Sequence, residues 1–211
     1  MVTLHDNLGS GNAYKVRLIL AHLKRPFRRI EYDVTKGETR SAKFLTINPN
    51  GRIPALEFED GRVLVESNAI LFYLAAETDF LPSDAFSRAQ VMQWMFFEQY
   101  SHEPNIAVAR YWHHYIWDEV STDAVRMSAL DKKMEGGRDA LTVMDNHLRG
   151  NTYFVNDAFS IADIALYAYT HVATEGGFDL TTFKNINMWL ERVAAQSRHV
   201  PIIRDNFEQF G

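Results

Sequence analysis

Two hydrophobic rhythms divide the chain. Over the first 78 residues, short alternating runs are interleaved with stretches of helical spacing, whereas beyond residue 87 the apolar stripes recur at three and four. Val2 to His5 reads as a short strand. Val16, Ile19, Leu20 and Leu23 then share one face of a helix from Asn12 to Leu23, which Pro26 ends. In RRIEYDV (28–34), Ile30, Tyr32 and Val34 alternate as in a half-buried strand. Glu38 to Leu45 suggests a short helix before an Asn-Pro-Asn-Gly turn (48–51). Leu56 and Phe58 face Val63 and Val65 across an Asp60-Gly61 hairpin turn, and a further helix runs from about Ser67 to Ala76. The predicted order is β-α-β-α-β-β-α, an α/β domain over 1–78.

TDFLPSDAFS (78–87) is polar with one proline, so residues 79–87 are expected to be a linker and 88–211 an all-α domain. Met92, Met95, Phe96 and Tyr100 start its first stripe, and Pro104 is expected to kink or break that helix. Leu130, Met134, Gly137, Leu141, Met144 and Leu148 predict a long helix. Ile161, Ile164, Ala165 and Ala168 predict another, ended by Gly176-Gly177, and Ile186, Trp189, Leu190 and Val193 a last one. In FSIADIAL (159–166), Ser160 and Asp163 have capping-box spacing, and Phe159 and Ile164 stand at hydrophobic-staple positions. That reading is structural, with the cap worth ~1 kcal/mol.

Composition narrows the classes. Of 211 residues, 46% are hydrophobic and 23% charged, with a net charge of −5, which argues against a general nucleic-acid or anionic-membrane binder. Lys24, Arg25, Arg28 and Arg29 bracket Pro26 and read as a solvated turn. Cysteine is absent, which excludes disulfides, thiolate metal sites and a cysteine nucleophile. The start has no signal-peptide pattern, and the longest apolar run (69–76) is too short to span a bilayer, so a cytoplasmic location is expected. His114 and Asp118 stand four apart beside His113, but without HExxH or a third ligand no metal is expected.

One oddity is NGRIPAL (50–56), where Pro54 sits inside an apolar run that otherwise reads as a strand. NPNGRIPAL (48–56), Glu66-Ser67 within LVESNAIL (64–71) and FSIADIAL occur in order, and together they resemble the cytosolic glutathione transferases over essentially the whole chain. EPNIAVARYW (103–112) and THVATEGGFDL (170–180) are similar to bacterial members near the disulfide-reducing nu class. The resemblance implies a thioredoxin-like domain, an all-helical domain and a homodimer, with reduced glutathione as co-substrate and no permanently bound cofactor. It implies that Pro54 follows a cis peptide bond, leaving the main chain of Ile53 to take the cysteinyl main chain of glutathione as an added strand. Glu66 would pair the γ-glutamyl ammonium, and Ser67 would offer a hydroxyl and a helix-terminal N–H to its carboxylate. Arg52 is the best-placed cation for the glycyl carboxylate. Arg40 comes second, since many relatives carry His or Gln where Thr39-Arg40 stands here. Read alone, Ser67 is a helix N-cap and both arginines are surface charges.

Family members lower the pKa of the bound thiol so that its thiolate attacks an electrophile. Lowering a thiol from about 8.5 by about two units takes roughly 2.7 kcal/mol. A hydroxyl donor to a charged acceptor supplies ~1.5–3 kcal/mol, and a helix N-terminus a further ~0.3–1. NLGSGNAY (7–14) holds the candidates: Ser10 first and Asn12 second, because Tyr14 falls inside the predicted helix. Both are also favoured cap residues. A dinucleotide-binding loop is rejected, because the third glycine position is Tyr14. The second substrate is expected against the helix around Pro104, where Arg110, Tyr111 and His114 are pocket candidates, though such an aromatic stripe is as readily plain core. The leading function is conjugation of glutathione to small hydrophobic electrophiles. The alternatives are a glutathione-dependent disulfide or peroxide reductase and a non-catalytic binding or scaffold module.

Overall fold

The structure, a computed structural model, describes residues 1–202. The described residues divide into two compact units, the first made of residues 1–76 and 197–202, the second of Glu77–Gln196.

The first unit is built from β1 (Val2–Asp6), α1 (Gly11–His22), β2 (Phe27–Glu31), α2 (Ala42–Ile47), β3 (Ala55–Glu57), β4 (Val63–Val65) and α3 (Ser67–Ala75). Its four strands lie in the order β2-β1-β3-β4. β1 and β2 are parallel, joined through α1, while β3 runs antiparallel to β1 and to β4. This is the mixed sheet and helix order of a thioredoxin-like domain. The register sets His5, Ala55 and Val65 side by side. Three segments therefore leave the sheet at one edge: the loop after Asp6, Pro54 before β3, and Glu66 after β4.

The helix expected over 38–45 is split. Gly37 at φ +72° opens a 3-10 turn (Glu38–Arg40), and the extended Ser41 interrupts it and caps α2 by accepting the Phe44 N–H at 3.3 Å. Phe44 is buried edge-on against Tyr32, with ring centroids 4.6 Å apart. Beneath the sheet edge lies a charged cluster. The buried Asp6 carboxylate accepts from Arg17 at 2.6 and 2.7 Å and from Arg29 at 3.0 Å. Arg29 also pairs with Glu31 at 3.0 Å, so the expected solvated turn holds for Lys24 and Arg25 but not for Arg29. The Tyr14 hydroxyl donates to the Val200 carbonyl at 2.6 Å, one reason that residues 197–202 group with this unit.

The second unit contains α4 (Ala85–Phe97), α5 (Glu103–Tyr115), α6 (Trp117–Ser121), α7 (Ala124–Leu148), α8 (Ile161–Thr170) and α9 (Lys184–Ala194). Asp84 caps α4 by accepting the Ser87 N–H at 2.8 Å, so the helix starts inside the expected linker. The predicted break at Pro104 takes the form of one π-helical turn, Glu98–His102, after which Pro104 occupies the first turn of α5, where its missing N–H costs nothing. The buried face of α4 is Val91, Trp94 and Met95, while Phe96 and Tyr100 from the predicted stripe are 64% and 88% exposed. α8 begins with a capping box. Ser160 accepts from the helix's first N–H groups, and the Asp163 carboxylate takes the Ser160 N–H at 2.9 Å. No helix among the described residues is long and apolar enough to cross a membrane.

Candidate functional site

Ser10 is the N-cap of α1. Its backbone is extended (φ −76°, ψ 122°), and Oγ accepts the Ala13 N–H at 3.3 Å. A hydroxyl that accepts on one lone pair keeps its own O–H to donate. The loop before it is held from behind. Arg17 donates to the Leu8 carbonyl at 2.8 Å, the Glu31 carboxylate accepts the Leu8 N–H at 3.2 Å, and Asn7 Nδ2 donates to the Tyr32 carbonyl at 3.0 Å. Burial pushes the Glu31 carboxyl up, opposed by the Leu8 N–H and by Arg29.

Asn12 meets α3 directly. Its Oδ1 accepts from Ser67 Oγ at 3.2 Å and from Lys15 Nζ at 2.9 Å. A lysine amine can only donate here, so the Asn12 atom facing it is the oxygen, and the amide N–H2 points away from Lys15. Ser67 is 5% exposed at the start of α3, and Lys15 is fully buried, with Nζ 3.3 Å from Ser67 Oγ and 3.4 Å from Asn68 Oδ1. Neither α1 nor α3 carries an acidic residue in its first turn; the N-cap is the neutral Ser10 in α1 and Glu66, whose carboxylate makes no cap hydrogen bond, in α3.

The Ile53–Pro54 peptide bond is cis. The sheet ladder stops at Ala55, so Ile53 takes no ladder bond. Glu66, between β4 and α3, is exposed and held at φ +68°, a left-handed conformation that costs a non-glycine residue ~1–3 kcal/mol and persists where the surroundings impose it. Arg40 folds onto the next turn, donating to the Asn50 carbonyl at 3.0 Å. Gly51 (φ +63°) makes room for it, since a Cβ there would stand 2.6 Å from the guanidinium. The Arg52 carbonyl accepts Asn48 Nδ2 at 2.7 Å while its side chain is exposed. The first unit thus gathers Ser10, Asn12 and Ser67 around two helix N-termini. It sets Ile53, Pro54 and Glu66 at the adjoining sheet edge, with Arg52 on the turn leading to it and the Arg40 side chain folded against that turn.

The candidates on α5 part company. Arg110 is 3% exposed and ion-paired with Glu175 at 2.6 Å, with burial lowering its pKa. Tyr111 and His114 are exposed and gather on Tyr115, Tyr111 stacked at 5.3 Å and His114 edge-on at 4.8 Å. Arg110 therefore serves the interior of its unit, and only the other two belong to an accessible aromatic surface. A depression of about 500 Å³, lined by Met1, Val2, Arg25, Pro26, Phe58 and Glu59 among others, holds none of the candidates. It sits at the opposite end of β1, away from the chemistry described above. No group of three His, Asp or Glu residues among those described could hold a metal ion.

Lys15 and Asn68 are site residues that sequence reasoning missed. The available signal was a lysine three residues after Asn12 inside the run AYKVRLIL, where a charge must find buried partners.

The glutathione S-transferase N-terminal domain model matches residues 1–76, and the corresponding C-terminal domain model matches 108–197. The crystal structure of a glutathione S-transferase from Pseudomonas fluorescens is 48% identical, overlays with a TM-score of 0.91, and the match covers 96% of this chain and 98% of that one. The disulfide-bond oxidoreductase YfcG of Escherichia coli is 27% identical over 192 residues, 88% of this chain and 86% of its own. Protein URE2 of Meyerozyma guilliermondii is 30% identical over 224 residues, 89% of this chain and 74% of its own. With both domain models matched in order and a close overlay along nearly its whole length, the chain belongs to the glutathione S-transferase family.

Proposed function

We propose that this protein binds reduced glutathione along the sheet edge of its first unit and conjugates it to small hydrophobic electrophiles. The observation that carries the reading is the meeting of α1 and α3, where Ser67 Oγ stands 3.2 Å from Asn12 Oδ1 and Ser10 caps the same helix end. In this reading Ile53 pairs with the cysteinyl main chain, and Glu66 and Ser67 take the γ-glutamyl end. Arg52, seconded by Arg40, faces the glycyl carboxylate. The Ser10 hydroxyl and the Asn12 amide N–H2 donate to sulfur, so the thiol proton leaves to solvent. The thiolate then forms a C–S bond to the electrophilic carbon as the leaving group departs with its electron pair. Tyr111 and His114 supply aromatic surface for an apolar electrophile, and Arg110 has no part in it.

The relationship to YfcG favours a second reading. In that reading the bound thiolate attacks one sulfur of a disulfide, releasing a thiolate, and a second glutathione attacks the glutathione sulfur of the mixed disulfide, forming glutathione disulfide and releasing the second thiol. A third reading, a non-catalytic module, leaves the Ser10–Asn12–Ser67 cluster without a task. A chlorodinitrobenzene and a small organic disulfide, assayed side by side with reduced glutathione, separate the three. Conjugation lowered at least tenfold by Ser10→Ala is expected. Turnover of the disulfide alone would replace the first reading by the second, and background rates on both would leave the third. The resemblance further suggests action in the cytoplasm as a homodimer, in keeping with Phe72 and Tyr73 on α3, Phe96 on α4 and Tyr100 in the π turn after it standing exposed.

A further inference from the structure

Lys15 is an uncommon residue to find fully buried, and its amine reaches side chains on two helices, among them Asn12 Oδ1 at 2.9 Å, Ser67 Oγ at 3.3 Å and Asn68 Oδ1 at 3.4 Å. These partners share one property, which is that each presents an oxygen to the amine. For a serine hydroxyl this matters little, because it rotates to donate or accept. For Asn12 it is decisive, because an amide offers opposite chemistry at its two ends. A sulfur anion is stabilised by the N–H2 end and repelled by the carbonyl end, and which end faces a given direction depends on what holds the other. We infer that Lys15 is a positioning residue for the thiol of glutathione, acting by fixing the Asn12 side chain with its carbonyl inward so that only its N–H2 can meet sulfur. This inference rests on the glutathione-site reading given above.

The contact with Ser67 supports the same role. Ser67 Oγ donates to Asn12 Oδ1, so the hydroxyl and the amine engage the carbonyl together, and a flip of the amide would set its N–H2 against the amine's own donors. The arrangement also joins two ends of the proposed ligand site, since the group that fixes Asn12 touches the residue expected at the γ-glutamyl end. Arg17, also on α1, points elsewhere, to Asp6 and the Leu8 carbonyl, and cannot substitute.

The test reads the thiolate fraction of bound glutathione at pH 7 from its ultraviolet absorbance, with binding followed separately by calorimetry. Lys15→Met removes the amine at nearly constant length and is expected to lower the thiolate fraction about tenfold. Asn12→Ala is expected to do the same, and the double variant to lose no more than either alone, because both act through one donor. Lys15→Arg should restore part of the loss. Asn12→Asp gives Lys15 an acceptor but has no N–H2, so it is expected to melt no lower than the parent and still to lose the thiolate. That variant decides the matter should Lys15→Met fail to fold. A thiolate fraction within twofold of the parent in Lys15→Met or Asn12→Asp, or full additivity in the double variant, overturns the role given to Lys15. Failure of the parent to bind glutathione overturns instead the site reading beneath it.

Discussion

Replacing Asp163 by alanine tests how the helical unit is held together. The carboxylate is completely buried and accepts four hydrogen bonds: Ser160 N–H at 2.9 Å, Ser160 Oγ at 3.0 Å, Phe154 N–H at 3.2 Å and Trp189 Nε1 at 2.9 Å. Only the first belongs to the capping box; the others tie α8 to the preceding loop and to α9. Alanine leaves the two backbone N–H groups and the indole N–H without their acceptor. At ~1–3 kcal/mol for each of these three buried donors left unsatisfied, the loss comes to about 3–9 kcal/mol, well above the ~1 kcal/mol of a cap and comparable to a domain's whole stability of ~5–15 kcal/mol. An asparagine side chain in its place would keep one carbonyl oxygen, so Asp163→Asn should cost about 1–3 kcal/mol. The charge complicates matters: burial pushes the Asp163 carboxyl up to about 6, while the four donors pull it down. Because the folded value lies above the unfolded 3.8, this group's contribution is fully present below that value and is lost as pH rises through about 6. Urea unfolding at pH 5, below the folded carboxyl's value of about 6, followed by tryptophan fluorescence, is the assay. It reports on the second unit alone, since all 4 tryptophans (Trp94, Trp112, Trp117 and Trp189) lie between residues 77 and 196. A loss below ~1 kcal/mol for Asp163→Ala would refute the reasoning.

Two further predictions concern the first unit and the assembly. Burial, with His199 and Arg198 nearby, lowers the His22 pKa to about 4, so its contribution is full above the ordinary 6.5 and is lost as pH falls through about 4. After discounting for its partial exposure, this is worth about 1–2 kcal/mol. The melting temperature of His22→Gln should therefore fall less between pH 7 and pH 4 than the parent's, and parallel curves would contradict this. If Phe96 and Tyr100 are covered in a homodimer, Phe96→Glu with Tyr100→Glu should halve the mass measured by light scattering. A monomeric parent at micromolar concentration would remove the premise.

What was legible in the sequence obeys local rules. The Asp60-Gly61 hairpin, the end of α1 before Pro26 and the Ser160–Asp163 box are each set by residues within a few positions of one another. Ser10 was legible as a cap for the same reason. Lys15 was not, because its burial depends on Ser67 and Asn68, which lie 52 and 53 positions away. Periodicity predicts that α4 is a helix but cannot say which of two apolar stripes faces inward, and Phe96 and Tyr100 took the outer one. Arg29 looked like part of a charged turn because its partner Asp6 sits on another strand, 23 positions earlier. Arg110 looked like a pocket residue because the carboxylate that claims it, Glu175, is 65 positions downstream.

The central claim is that the junction of α1 and α3 binds glutathione and holds it as a thiolate. Titration of the protein with reduced glutathione by calorimetry at pH 7, in two buffers of different ionisation enthalpy, tests it most directly. Binding with release of about one proton, a release lost in Ser10→Ala, is the predicted result. Binding with no proton release would contradict thiolate stabilisation, and no binding at all would contradict the site.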